Sequence, residues 1–211
     1  MNSNKTVIGF VIAMPVEAKP LIDYYNLKKR VISGFELYYN DSIKVIISGV
    51  GVINSTLATY VLIENFTCDR VINYGVAGFS GDTYKQCNIF SVRNVYKRDV
   101  DFTALGYEKY RFPDKDSNIG LEIDNRLQAL DCYTSDEYIS PKSDVLPNVL
   151  VDMEAYCVAE VCNRYGVICN IYKSISDNTT DADTQGQIDR FLKKAIYEIN
   201  DYIIEKVLSK N

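Results

Sequence analysis

Residues 43–66 read IKVIISGVGVINSTLATYVLIENF, and the fold turns on this stretch. Ile43 to Ser48 has the character of a strand, Gly49-Val50-Gly51 breaks the chain, and Val52 to Phe66 carries helical spacing. The same succession recurs on both sides. Upstream, Val7 to Ala13 (VIGFVIA) is short, continuously apolar and β-branched, as a strand buried on both faces would be. Pro15 then suits the first turn of a helix over residues 16–25. Phe35 to Asn40 pairs with Ile43 to Ser48 as a hairpin closed near Asn40-Asp41. Downstream, Arg70 to Tyr74 is a buried strand ending in Gly75-Val76-Ala77-Gly78, and Asn88 to Tyr96 is another. Residues 98–120 are polar and read as a long loop. Asp152 to Tyr165 places Met153, Cys157, Val158, Val161 and Cys162 on one helical face. Val167 to Lys173 is a strand, Ser176 to Asp183 a polar loop, and Ile188 to Ile203 a long amphipathic helix. Strands alternating with helices predict an α/β layer structure with a largely parallel or mixed sheet, in a single domain over residues 1–211.

Composition removes several classes of function. The chain has 211 residues and no histidine, so Ser-His-Asp and Cys-His dyads and histidine-ligated metals are excluded. Acid–base chemistry near neutral pH falls to carboxylates, Tyr, Lys, Cys or water. Twenty-three basic residues face 28 acidic ones, a net charge of −5 without a long basic run, which argues against a nucleic-acid partner. Six cysteines lie without a C-x-x-C pair, mostly inside apolar stretches, and suit small buried fillers in a reducing compartment. Met1 to Lys5, the short run Val7 to Met14, and then Pro15, Glu17 and Lys19 make neither a signal peptide nor a membrane span. The expectation is a cytoplasmic protein with no membrane partner, no metal and no cofactor.

Ligands of such sheets bind beyond the carboxyl ends of strands. Four strand ends stop at unusual sequences: Met14-Pro15-Val16-Glu17, Ser48-Gly49-Val50-Gly51, Gly75-Val76-Ala77-Gly78 and Ser176-Asp177-Asn178. Each has a plainer reading. Gly49 and Gly51 permit a tight strand-to-helix turn or cradle an oxygen-rich ligand; the dinucleotide fingerprint fails, because its third glycine falls on Asn54. Asp152 and Glu154 cap a helix and favour its first turn, or accept hydrogen bonds from vicinal sugar hydroxyls. Ser176-Asp177 reads as a cap or an Asx-turn, Glu17 as a solvated first-turn glutamate, and Tyr138-Ile139 as core.

Their order and spacing resemble the purine nucleoside phosphorylase and nucleosidase superfamily, and within it the bacterial 5'-methylthioadenosine/S-adenosylhomocysteine nucleosidases. The likeness runs through VIGFVIAMPVEAKPL, SGVGVINSTLA, VINYGVAGFSG, DFTALGYE, VDMEAYCVAEVCNRYGV and SISDNTTD. It implies a three-layer α/β/α fold around a central mixed, mostly parallel twisted sheet. It also implies hydrolysis of the N-glycosidic bond of an adenine nucleoside. Asp177 then matches the general acid toward N7, and Glu17 the residue that deprotonates water. Glu154 matches the carboxylate for the 2'- and 3'-hydroxyls, with Met153 beside the sugar. Tyr138 stands where an aromatic ring stacks on adenine, and Ile139 where backbone reads the base edge. Met14, Val50 and Phe191 match positions lining the ribose or 5'-substituent pocket; Ala77, Gly78 and Ser176 complete the expected binding set. The loop at Leu105 to Pro113 implies a homodimer in which it lies near the neighbouring subunit's site.

Four positions depart from the family pattern: Val76 replaces a small polar residue, Asp152 is shorter than glutamate, Leu105 replaces an aromatic, and Lys173 stands in place of arginine. A phosphorolytic site needs cations around its nucleophile, whereas AMPVEAK and Val71-Ile72-Asn73-Tyr74 supply no arginine. The expected reaction is therefore hydrolysis, with phosphorolysis and a non-catalytic nucleoside-binding role as the alternatives.

Overall fold

A computed structural model describes residues 6–139 and 146–209; Met1 to Lys5, read above for a targeting segment, lie outside them. Strands β1 (Ile8–Ile12), β2 (Lys28–Ile32), β3 (Phe35–Tyr39) and β4 (Ile43–Ile47) and helices α1 (Pro15–Tyr24) and α2 (Val52–Asn65) form the first part. Next come β5 (Arg70–Phe79), β6 (Ile89–Lys97), the two-residue β7 (Ile119–Gly120), β8 (Ala129–Thr134) and β9 (Leu150–Asp152). Helix α3 (Ala155–Tyr165), β10 (Ile168–Asn178) and α4 (Thr184–Tyr202), which runs into a π-helical turn over Ile203–Leu208, complete the chain.

The apolar runs become strands covered on both faces. In β1, Val11 packs into a core shared with Ala58 and Leu62 of α2 and Ala155 and Val158 of α3. Its neighbours Phe10 and Ile12 point the other way, against Ala18 and Leu21 of α1 and Ile199 of α4. A strand whose alternate residues meet helices on both sides has no polar face, which is why its sequence does not alternate. Helix ends follow the chemistry of their caps: Pro15 opens α1, and Gly166 closes α3 in the left-handed conformation at φ 65°.

The expected α/β architecture with a mixed sheet is present, but the sheet is not a plain twisted one. Parallel and antiparallel pairings are equal in number among the described residues. Strand β10 pairs with both β5 and β6, so β5, β9, β8, β6 and β10 close into a ring, from which β1, β4, β3 and β2 extend to an open edge. β5 continues through Gly75–Gly78, and β10 through Ser176-Asp177-Asn178, and these ends, expected to be a strand end and a loop, pair with one another. β2, β7, β8 and β9 have no counterpart among the expected strands, β7 falling within the expected loop over residues 98–120. β2 reads KKRVI and lies at the edge, joined to β3 by a tight turn in which Ser33 (φ 48°) and Gly34 (φ 86°) are both left-handed.

Candidate active site

The four unusual segments meet. A cavity of about 340 Å³ opens at one end of the ring, within the size range of small-molecule sites. The β1–α1 junction supplies Met14 and Glu17, the β4–α2 turn Val50, and the end of β5 Ala77 and Gly78. The segment after β8 contributes Tyr138 and Ile139, the β9–α3 junction Met153 and Glu154, and the end of β10 Ser176 and Asp177. Of the residues expected at the site, Phe191 alone is not in the lining; Ile188 and Leu192 of α4 take that wall. They lie one turn apart on one face, and Phe191 is rotated about 100° from Leu192. Sequence reasoning did not place Thr179 and Glu137 at the site, although both line the cavity; Thr179 lies within the SISDNTTD stretch and Glu137 immediately before Tyr138.

Glu17 is held by backbone. The Val76 N–H donates to its Oε1 at 3.0 Å, and the Met14 N–H to its Oε2 at 3.1 Å. The bond from Val76 needs no side chain, so a polar residue there is not required to hold this carboxylate. Gly75 is required: a Cβ added to it would lie 2.6 Å from Glu17 Oε1. Burial pushes the Glu17 carboxyl above the usual carboxylate range, opposed by those two N–H groups and by Lys173.

Glu154 and Asp152 divide two roles. Asp152 accepts the Ala155 N–H at 2.8 Å at the start of α3 and the Thr134 hydroxyl at 2.6 Å, as a capping residue does. Its Oδ2 also lies 2.8 Å from Lys173 Nζ, with both side chains almost wholly buried. Burial alone would raise the Asp152 carboxyl, but the Lys173 charge and these hydrogen bonds hold it low. Glu154 turns into the cavity, where its Oε1 accepts the Gly51 N–H at 2.8 Å. Gly51 reaches that position at φ 104°, a region that glycine enters readily. Burial and then the Asp152 charge push Glu154 up to about 7. Asp177 is buried beside Ser176, whose hydroxyl donates to it. Burial raises its carboxyl too, against the lowering effect of Ser176. The lining thus carries three carboxyl groups, those of Glu17, Glu154 and Asp177, biased toward the protonated form and, among the described residues, no lysine or arginine. Among the described residues, no group of three or more His, Cys, Asp or Glu is arranged to hold a metal ion.

A 5'-methylthioadenosine/S-adenosylhomocysteine nucleosidase of Shewanella sp. strain W3-18-1 is 30% identical over 217 residues, covering 90% of this chain and 93% of that protein. The chain belongs to this nucleosidase family. An aminodeoxyfutalosine nucleosidase of Helicobacter pylori strain J99 is 28% identical over 217 residues, covering 90% and 93% of the two chains. The fold agrees with the crystal structure of the H. pylori 5'-methylthioadenosine/S-adenosylhomocysteine nucleosidase with butyl-thio-DADMe-Immucillin-A. The TM-score is 0.87 at 24% identity over 97% of this chain and 99% of that one. No protein-family model matches the sequence. Against the family pattern, two of the departures prove to be partners, since Asp152 and Lys173 bind one another beneath the nucleosidase-like cavity.

Proposed function

We propose that this chain hydrolyses the N-glycosidic bond of adenine nucleosides such as 5'-methylthioadenosine or S-adenosylhomocysteine and releases adenine. The observation that carries this reading is the meeting of Glu17, Glu154 and Asp177, distant in sequence, around one cavity. Cleavage of C1'–N9 leaves the electron pair on the purine, which departs readily only if a proton reaches it. Asp177, whose carboxyl burial biases toward the protonated form, gives a proton to N7. The sugar gains oxocarbenium character, as in other glycoside hydrolyses. Glu154 accepts hydrogen bonds from the 2'- and 3'-hydroxyls, and Met153 packs beside the ring. Water adds to C1' and its proton passes to Glu17, which two backbone N–H groups hold in place. Tyr138 stacks on the base, the Ile139 backbone reads its edge, and Met14 and Val50 line the sugar side. A lining without lysine or arginine offers a phosphate dianion no counter-charge and suits neutral water.

The chain acts as a homodimer in this reading. Ile53, Leu57 and Tyr60 form an exposed apolar stripe on α2, and Leu105 and Tyr107 of the expected dimer loop are exposed as well. All six cysteines are unpaired, which suits a reducing, cytoplasmic setting. No helix among the described residues is long and apolar enough to cross a membrane.

The test is a panel of 5'-methylthioadenosine, S-adenosylhomocysteine and aminodeoxyfutalosine, with and without phosphate. Adenine and a free sugar are expected from at least one nucleoside in phosphate-free buffer. A sugar 1-phosphate formed only with phosphate would overturn hydrolysis, and no turnover across the panel would leave a binding protein instead.

A further inference from the structure

The base-facing side of the cavity rests on a segment with little regular structure. Ser135 to Ile139 follows β8, and from it Glu137, Tyr138 and Ile139 reach the lining. Tyr138 is 58% exposed, so packing alone does not fix its ring. Two separate elements tie this segment down. From the end of β6, Arg98 donates through Nε to Ser135 Oγ at 2.9 Å, and its Nη2 lies 2.6 Å from Glu137 Oε2. The Arg98 side chain is 9% exposed and its own N–H donates to the Thr134 carbonyl at 2.8 Å. One guanidinium thus grips residues on either side of Asp136.

Asp136 itself points the other way, to α2. Its Oδ1 accepts the Val52 N–H at 2.8 Å. The preceding N–H, that of Gly51, is the one that holds Glu154. A Cβ on Gly51 would meet Asp136 Oδ1 at 2.9 Å, so the approach depends on that glycine. Two successive N–H groups of one helix start therefore hold a carboxylate from the ribose side and a carboxylate from the base side.

We infer that Arg98 and Asp136 are positioning residues that preorganise the base-binding segment. Asp136 sets its distance from the ribose carboxylate Glu154 through the shared start of α2. The inference rests on the nucleosidase reading and adds two residues that touch neither base nor sugar. A nucleoside spans both sides of the cavity while free adenine occupies one, so loss of the tie weakens nucleoside binding more than adenine binding.

The experiment compares kcat and KM for 5'-methylthioadenosine, and inhibition by adenine, across Asp136→Ala, Asp136→Asn, Val52→Pro and Arg98→Met. Asp136→Ala is expected to raise KM about tenfold, the scale of one lost hydrogen bond to a charged group. Its kcat should stay within about threefold, with adenine inhibition shifted less than KM. Asp136→Asn keeps an acceptor at Oδ1 and restores KM. Val52→Pro deletes the same hydrogen bond from its donor side, at a helix position that accepts proline, and so covers the case in which Asp136→Ala does not fold. Combined with Asp136→Ala it should add nothing further. Arg98→Met raises KM independently. Folded variants with the parental KM would overturn the inference, as would an Asn variant as impaired as the Ala one or additive effects of Val52→Pro and Asp136→Ala. If the parent protein cleaves no nucleoside, the underlying reading falls and this inference with it; unchanged KM in an active protein refutes the inference alone.

Discussion

Lys173 Nζ and Asp152 Oδ2 lie 2.8 Å apart, with side chains 2% and 1% exposed, on strands β10 and β9 of the closed ring. Burial works against the charge of both, and each holds the other charged: Asp152 is kept low, and Lys173 is kept high by Asp152 and then Glu154. Removing one partner leaves the other charge stranded, at a cost of about 3–5 kcal/mol. Lys173→Met should therefore destabilise by that amount in urea unfolding. The double variant Lys173→Met/Asp152→Asn should recover part of the loss, and a strictly additive double would show that the pair is not coupled.

Glu154 makes stability depend on pH in the opposite sense from most carboxylates. Folding raises it from 4.5 to about 7. Between those values the folded protein keeps a proton that the unfolded chain has released, so stability falls as pH rises. Glutamine carries no charge at any pH. The melting temperature of Glu154→Gln relative to the parent should climb from about pH 5 to pH 7 and then level off. A gap constant across that range would refute the assignment.

Gly75 is close to Glu17 rather than conformationally special. An alanine there places its Cβ 2.6 Å from Glu17 Oε1, so the carboxylate must leave the Val76 and Met14 N–H groups that hold it. Turnover should drop on the order of 10²-fold, as for other small misplacements of a catalytic group. Circular dichroism should remain that of the parent. Unimpaired turnover in Gly75→Ala would free Glu17 from the role of base.

Asp177→Asn retains the shape of the acid and loses its proton. Nucleoside binding, measured by calorimetry, should persist while turnover falls about 10²–10⁴-fold. Equal rates in the two proteins would remove Asp177 from the chemistry.

Much of this was legible in the chain because both faces of the main sheet are covered. VIGFVIA is apolar throughout and the run from Ile43 is so apart from Lys44, and both announce buried strands, while Pro15 marks the start of a helix. β2 was not legible: KKRVI lies at an edge and is nearly all exposed, so no buried face writes a pattern into it. β9 is only three residues long. The extended ends of β5 and β10 were misread because their residues line a cavity and enclose an ion pair rather than a greasy core. Glycine and aspartate there look like punctuation. The site was readable from the coincidence of four strand ends, but the wall from α4 depended on helix phase, which decides between Phe191 and its neighbours Ile188 and Leu192.

A hoop of strands behaves mechanically unlike an open sheet. The middle of β10, Tyr172 to Ser174, is paired on both flanks, to β5 on one and β6 on the other, so it cannot slide or peel away without rupturing two ladders together. Asp177 lies just beyond that doubly held stretch, where a register shift between Ile175 and Asp177 leaves it paired with β5 alone. The candidate acid thus sits beside an anchored length of strand, at the point where the ladder first turns irregular.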